Sequence, residues 1–328
     1  MDMSDPSRPE LSILIVGYNA VEWLDRCLTS LAHDGRPSVS HEVVLVDNAS
    51  CPRLDEALIY DLSDLRVLTL KYNVGFGNAV NIARVHARGK FLLLLNPDIE
   101  VLPGSIDRLL GFFQEDRSRG IVGGRTQAPD GRMDPRNAFN QPTLWSQVCF
   151  ATGLSTTFPR SPLFNPETIP GWNRETPRNV GVVTGCTLLT STTVWDKLSG
   201  FDPSFFMYGE DVDLSRRAIR AGFQPTVDSS ANFIHAFGAS STSNLKRVMV
   251  LRGKASLYRK HGTAWSRPIS TLLLLTGVLL RAVLERLTGS HVRDWRHAWS
   301  ARREWRRGWD RDPVSQVILS DSGPASRA

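Results

Sequence analysis

Nearly unbroken apolar runs alternate with helix-spaced segments through the first hundred residues, and each run stops at a polar side chain. Leu11–Val16 is such a run, of strand length and with little to turn toward water, as in a strand buried on both faces. After the turn at Gly17-Tyr18-Asn19, Val21, Leu24, Leu28 and Leu31 recur at helical spacing, and Glu42–Val46 forms a second run. The alternation continues with a run at Arg66–Leu70, a helix from about Gly77 to Arg88 and a fourth run at Phe91–Leu95. Strand, helix, strand repeated in this way predicts an α/β fold with a mostly parallel, Rossmann-like sheet flanked by helices. Such sheets bind ligands beyond the carboxyl ends of their strands. Tyr18, Asp47, Asn73 and Asp98 each stand just past such an end, so four polar residues on one edge predict a site.

With 41% hydrophobic and 22% charged residues in 328, the composition is that of a globular protein rather than a disordered one. Cys27, Cys51, Cys149 and Cys186 are widely spaced and not clustered with His, which points away from a disulfide framework or a zinc site and fits a reducing cytoplasm. The opening MDMSDPSRPE has acids and prolines where a secretory signal would be basic and then apolar, so export is not expected. The net charge of +6 is uneven: Lys246–Arg311 holds sixteen Lys or Arg and four Asp or Glu, leaving 23 basic and 29 acidic residues elsewhere. Residues 1–9 and 312–328 read as disordered, 10–243 as the α/β unit and 244–311 as a basic helical region. Within the unit, 123–172 reads as long loops, Val180–Thr190 as a strand and Asp211–Arg220 as a helix.

Four motifs carry chemistry. Asn96-Pro97-Asp98 ends the most apolar strand; a carboxylate there can hold a hard divalent cation, although all three residues are also turn formers. In FDPSFFMYGEDVDL, Glu210, Asp211 and Asp213 crowd the start of a helix. Helix capping explains acids at such a place, but adjacent like charges also raise a carboxyl pKa, which suits a base. His235 follows the strand-like ANFI and is either an ordinary satisfied histidine or a ligand beside Asp98. Asn73-Val74-Gly75-Phe76-Gly77-Asn78 offers backbone N–H groups at a helix start, suited to phosphate or sugar hydroxyls. Val80 stands where the dinucleotide fingerprint needs its third glycine, which argues against a nicotinamide dehydrogenase.

In chain order, ILIVGYNA, VVLVDNAS, NVGFGNAVN, LLLLNPDIE, VTGCTLL and FDPSFFMYGEDVDL resemble glycosyltransferase family 2, the inverting GT-A fold. Within it they look most like the bacterial rhamnosyltransferases of cell-wall linker and O-antigen assembly. The resemblance covers roughly Glu10 to Ser240. It implies a nucleotide-sugar donor, with dTDP-rhamnose as best match, and a glycan or polyprenyl-diphosphate-linked sugar as acceptor. It implies that Tyr18 and Asn19 line the nucleoside pocket, that Asp47 binds the base or ribose, and that Asn73 and Asn78 contact the donor. Asn96 and Asp98 stand where the family has its D-x-D motif; Asp98 then holds Mg²⁺ or Mn²⁺, and Asn96 in place of the first acid removes one anionic ligand. Asp211 matches the general base, Gly185 and Glu210 lie on the acceptor side, and His235 matches a histidine that completes the metal shell in some members. The Q-x-x-R-W motif of processive synthases is missing, which favours transfer of a single sugar.

The tail carries a second message. Ile269–Leu287 is largely apolar, but Arg281 interrupts it, leaving less than the roughly 20 residues of a bilayer span. Gly277, Arg281, Glu285 and Thr288 form a polar stripe at helical spacing, so the segment is amphipathic. If 291–311 were one helix, Trp295, Trp299, Trp305 and Trp309 would share a face about 120° wide with Arg302 and Arg306, a composition suited to an anionic membrane surface. The alternative is helices packed on the catalytic unit or on a second copy in a homo-oligomer. Nucleic acid is not an expected partner, since no known module is present. The expected location is therefore the cytoplasm, at the inner face of the cell membrane. Two other classes fit less well. A nucleotidyltransferase would open with a basic glycine-rich loop that GYNAVEWLD lacks, and a mere sugar-nucleotide binder would need no base.

Overall fold

The computed structural model describes residues 8–54, 65–236, 243–289 and 294–309. Arg8 and Pro9, expected to be disordered, are placed, Pro9 buried; residues 1–7 and 312–328 lie outside the described part. In chain order the elements are β1 (Leu11–Gly17), α1 (Val21–Ala32), β2 (His41–Asp47), β3 (Leu65–Thr69), α2 (Phe76–His86), β4 (Phe91–Leu95), β5 (Ile99–Val101), α3 (Ser105–Glu115) and β6 (Ile121–Gln127). Then come β7 (Ala138–Phe139), α4 (Leu144–Ala151), α5 (Leu154–Thr157), β8 (Arg178–Asn179), β9 (Val182–Val183), β10 (Thr187–Ser191), α6 (Thr192–Lys197), α7 (Glu210–Arg220) and β11 (Thr226–His235). The chain continues with α8 (Ser243–His261), α9 (Ser266–Thr288), α10 (Trp295–Ser300) and α11 (Arg302–Trp305).

The main sheet runs β3-β2-β1-β4-β10-β6-β11-β5, with β8 beside β11 and β7-β9 as a separate pair. The four strands read from the sequence pair in parallel. β10 then enters antiparallel between β4 and β6. Alternate side chains of β1 and β4 feed two cores: Leu11, Ile13, Leu93 and Leu95 meet α1 and α3, while Leu14, Val16, Leu92 and Leu94 meet α2, α6 and α7. Every residue of β1 and β4 is buried, which explains their unbroken apolar sequence.

Two expectations about the α/β unit need correction. Val180–Thr190 is not one strand: β9 and β10 are separated by Thr184-Gly185-Cys186, which turns beside the candidate site. The stretch 123–172 is not loop throughout, since α4 has a capping box in which Thr143 and Ser146 satisfy each other's backbone N–H groups.

The C-terminal helices pack on the rest of the molecule. Trp305 joins Val248, Leu251, Leu274 and Val278 in a third core, and Trp309 joins Phe205 and Leu257 in a fourth. The single tryptophan face is thereby overturned: α10 and α11 are two short helices, and Trp305 and Trp309 are 0% and 5% exposed. At 23 residues α9 is long and apolar enough to cross a membrane by length and composition, contrary to the count that stopped at Arg281.

Candidate active site

Asp98 leaves the end of β4 nearly buried, and its carboxylate lies 3.5 Å from Nε2 of His235 at the end of β11. The pairing of β11 with β5, His235 opposite Ile99, sets this approach. On the other side of the ring, Nδ1 is 3.0 Å from Oδ2 of Asp134. Burial disfavours a charged imidazole, yet hydrogen bonds with Asp134 and Asp98 outweigh it and raise the His235 pKa to about 9. Asp134 is fully buried; burial alone would raise its pKa, but His235 and Arg136, 2.9 Å away, bring it below the usual carboxylate range. A histidine with one nitrogen fixed by a carboxylate and the other beside a second carboxylate has the arrangement of a metal ligand with its orienting partner. Among the described residues no cluster of three His, Cys, Asp or Glu forms a closed metal site. To hold a divalent cation, Asp98 and His235 would have to open their mutual contact and His235 would have to give up its Nε2 proton to the solvent, the proton release that metal binding to an imidazole requires.

The second group of acids starts α7. Glu210 is buried, and its Oε2 has no hydrogen-bond partner among the described residues. Burial first, then the charges of Asp211 and Asp213, push its pKa well up. Asp211 is half-buried. Burial raises its pKa too, with the Val212 and Gly185 amides acting in the opposite sense. Asp213, two residues on, behaves in the opposite way. It contacts Arg217 at 2.8 Å, Lys260 at 2.6 Å and His261 at 2.7 Å, and these overcome burial to bring its pKa to about 2. It fastens α7 to α8, which answers the choice between capping and chemistry separately for each acid.

Backbone contacts bring the two groups to one sheet edge. The N–H of Asn96 donates to the carbonyl of Cys186 at 3.0 Å, and Gly185, next in the chain, reaches Asp211. Gly77 at the start of α2 is close to Glu210, since a Cβ added there would lie 3.5 Å from the Glu210 Cβ. Gly75 has φ 85° and packs so tightly on Phe206 that a Cβ would lie 2.1 Å from its carbonyl oxygen, so no other residue fits. The C-terminal region clamps the same loop: Trp309 donates to the Met207 carbonyl at 3.0 Å and its ring lies 5.4 Å from Phe206.

The residues implied to touch the donor divide. Tyr18 is exposed at the end of β1, and Asn96 is half-buried at the end of β4. Asp47 is 0% exposed, and its two oxygens accept from the N–H groups of Ser50 and Leu54, so it shapes the loop after β2. Asn19 serves the same loop by accepting from Cys51 N–H. Asn73 accepts from Gly75 N–H and Asn48, while Asn78 donates to the carbonyls of Val74 and Pro203. Sequence reasoning missed Asp134, one of three acids in the presumed loops with Asp130 and Glu167, which no local pattern sets apart from the other two.

Residues 12–175, half of the chain, match Glycosyl transferase family 2. The chain belongs to glycosyltransferase family 2. It is 28% identical over 298 residues to the N-acetylglucosaminyl-diphospho-decaprenol L-rhamnosyltransferase of Mycobacterium tuberculosis, covering 84% of this chain and 94% of that relative. It is also 28% identical over 235 residues to an O-antigen biosynthesis protein of Myxococcus xanthus, covering 71% of this chain and 18% of that much longer protein. A mannosyltransferase from Pyrobaculum calidifontis, solved with GDP-Man and Mn²⁺, shares the fold at a TM-score of 0.54 and 14% identity, over 98% of this chain and 89% of that one. The expected GT-A architecture is thus observed, and this member of family 2 is a glycosyltransferase.

Proposed function

We propose that this glycosyltransferase moves one rhamnose, with inversion, from dTDP-rhamnose to a hydroxyl of a polyprenyl-diphosphate-linked sugar during cell-envelope polysaccharide synthesis, working at the inner face of the cell membrane. The observation that carries the reading is the placement of two unlike acidic groups on one sheet edge: Asp98 paired with His235, and Asp211 with its raised pKa beside Gly185. The match over 84% of this chain to a relative named as acting on N-acetylglucosaminyl-diphospho-decaprenol supports the acceptor class.

Asp211 accepts the proton of the acceptor hydroxyl as that oxygen attacks the anomeric carbon; its raised pKa makes it a better proton acceptor than an ordinary carboxylate. Gly185 orients it through the backbone. Glu210, more strongly disfavoured as an anion, stays neutral beside the ionised Asp211 and keeps charge repulsion out of the site. Asp98 and His235 would hold Mg²⁺ or Mn²⁺, which would neutralise charge on the departing diphosphate. The mixed oxygen and nitrogen donor set fits Mn²⁺ better than Mg²⁺, which takes oxygen ligands. Asp134 keeps the imidazole aimed at Asp98.

The test is nucleoside diphosphate release from dTDP-, UDP- and GDP-sugars, with Mg²⁺, Mn²⁺ or chelator, with and without a lipid-linked N-acetylglucosamine acceptor. Acceptor-dependent release from dTDP-rhamnose is expected; preference for another donor would replace the rhamnosyl reading, and release indifferent to acceptor would end the transfer reading.

A further inference from the structure

α9 is built inside out. Its seven buried residues include Ser270, Arg281 and Glu285 beside Leu274 and Val278, while Leu272 and Leu287 are 64% and 77% exposed on the opposite side. Two of the inward polar groups have protein partners: Arg281 donates to the carbonyls of Phe150 and Gly277 and to Thr156, and Oε2 of Glu285 accepts from Arg296 N–H, while its Oε1 is buried without a partner among the described residues. A helix packed on a domain in water normally has the reverse arrangement.

The outward leucines have company. Of the eighteen exposed large apolar side chains among the described residues, seven lie in 265–287 and four in 144–163, a stretch that Arg281 ties to the inner side of α9 through Phe150 and Thr156. A soluble surface scatters such side chains; their concentration marks an interaction face. The exposed charges in these stretches are Arg160, Arg267 and Arg286, and the only acid, Glu285, is buried. Two copies meeting face to face across a two-fold axis would set these arginines against their like, with no exposed acid from either stretch to pair them. An anionic lipid surface supplies both what the leucines and what the arginines lack.

We infer that the outer side of α9 is the surface by which the enzyme rests on an anionic bilayer, with α9 lying in the interface rather than crossing it. The inference rests on the membrane-linked acceptor proposed above. It moves the contact away from the C-terminal tryptophans, two of which are buried. Truncation would be a poor test, because Trp309 and α8 hold the loop before Glu210.

The experiment is flotation of the full chain with phosphatidylglycerol-containing or purely phosphatidylcholine vesicles, comparing wild type with Leu272→Glu/Val283→Glu and, as a control on the tryptophan side, Trp299→Glu. Wild type should float with anionic vesicles only and be released by alkaline carbonate. The double variant should bind more than about tenfold more weakly with an unchanged circular dichroism spectrum and unchanged transfer to a water-soluble acceptor, while the control still binds. Equal flotation of the double variant, resistance to carbonate, or a wild type that stays in solution as a dimer dissociated by the same two glutamates would each overturn the inference. Transfer to lipid-linked acceptor without flotation would end the docking face and leave the proposed function standing; flotation without transfer would do the reverse.

Discussion

The two acidic regions at the sheet edge have opposite electrostatics. Around Asp98 every charge has an answer: His235 bridges two carboxylates, and Arg136 compensates Asp134. Asp211 instead adds its charge to a buried acid, Glu210, and both carboxyls are pushed up in pKa, by burial first. The first arrangement suits holding a positive charge still, the second taking up a proton. What separates them is the company that the fold supplies, since both are built from the same residue types.

The sharpest way to break this contrast is Asp211→Asn. Removing a general base should cut kcat by about 10²- to 10⁴-fold while donor affinity, measured by titration calorimetry, stays near wild type. Near-normal turnover would remove Asp211 from the chemistry. Asp213→Asn, in the same helical turn, should instead act on stability, costing roughly 3 kcal/mol by leaving Arg217 and His261 without their buried partner. Because the folded pKa of Asp213 is depressed to about 2, its contribution is present above the ordinary value of 3.8 and is lost as pH falls toward 2. Thermal melts of variant and wild type should therefore differ at neutral pH and converge in strong acid.

On the other side of the comparison, Asp134→Asn should raise the metal concentration for half-maximal turnover by about 10- to 100-fold, the usual effect of losing an orienting partner, with turnover recovering at saturating metal. An unchanged metal titration would show that His235 needs no such support. The smallest effect is expected of Glu210→Gln, a neutral mimic that should leave turnover within a few-fold. Glu210 has a raised folded pKa, so its stabilising contribution is complete below the ordinary value of 4.5 and is lost as pH rises through the raised one. The variant should lack that alkaline-side loss in melting temperature; equal pH dependence would mean that Glu210 is not the buried acid responsible.

The parallel half of the sheet was legible because strands buried on both faces leave an apolar record with little ambiguity, as in Phe91–Leu95, read to its exact bounds. Asp98, His235 and Asp211, on which the proposed function rests, stood out in the sequence through resemblance and position at element ends. Asp134 was not, because its partner His235 lies 101 residues further on and only the β6–β11 pairing brings the two near each other. Asp47, Asn73 and Asn78 were found as significant positions, but a carboxylate or amide that holds a loop has the same letters as one that holds a ligand.

The sequence by itself determined the alternating framework, the edge on which chemistry collects and the amphipathic character of α9, because these follow from local periodicity and from the residue types at strand ends. Tertiary structure decided which acid is compensated, which is left to bind a proton, and which side of α9 meets protein. Those outcomes depend on desolvation and on hydrogen-bond partners distant in the chain, such as the carbonyl of Phe150 that receives Arg281, and no local pattern encodes them.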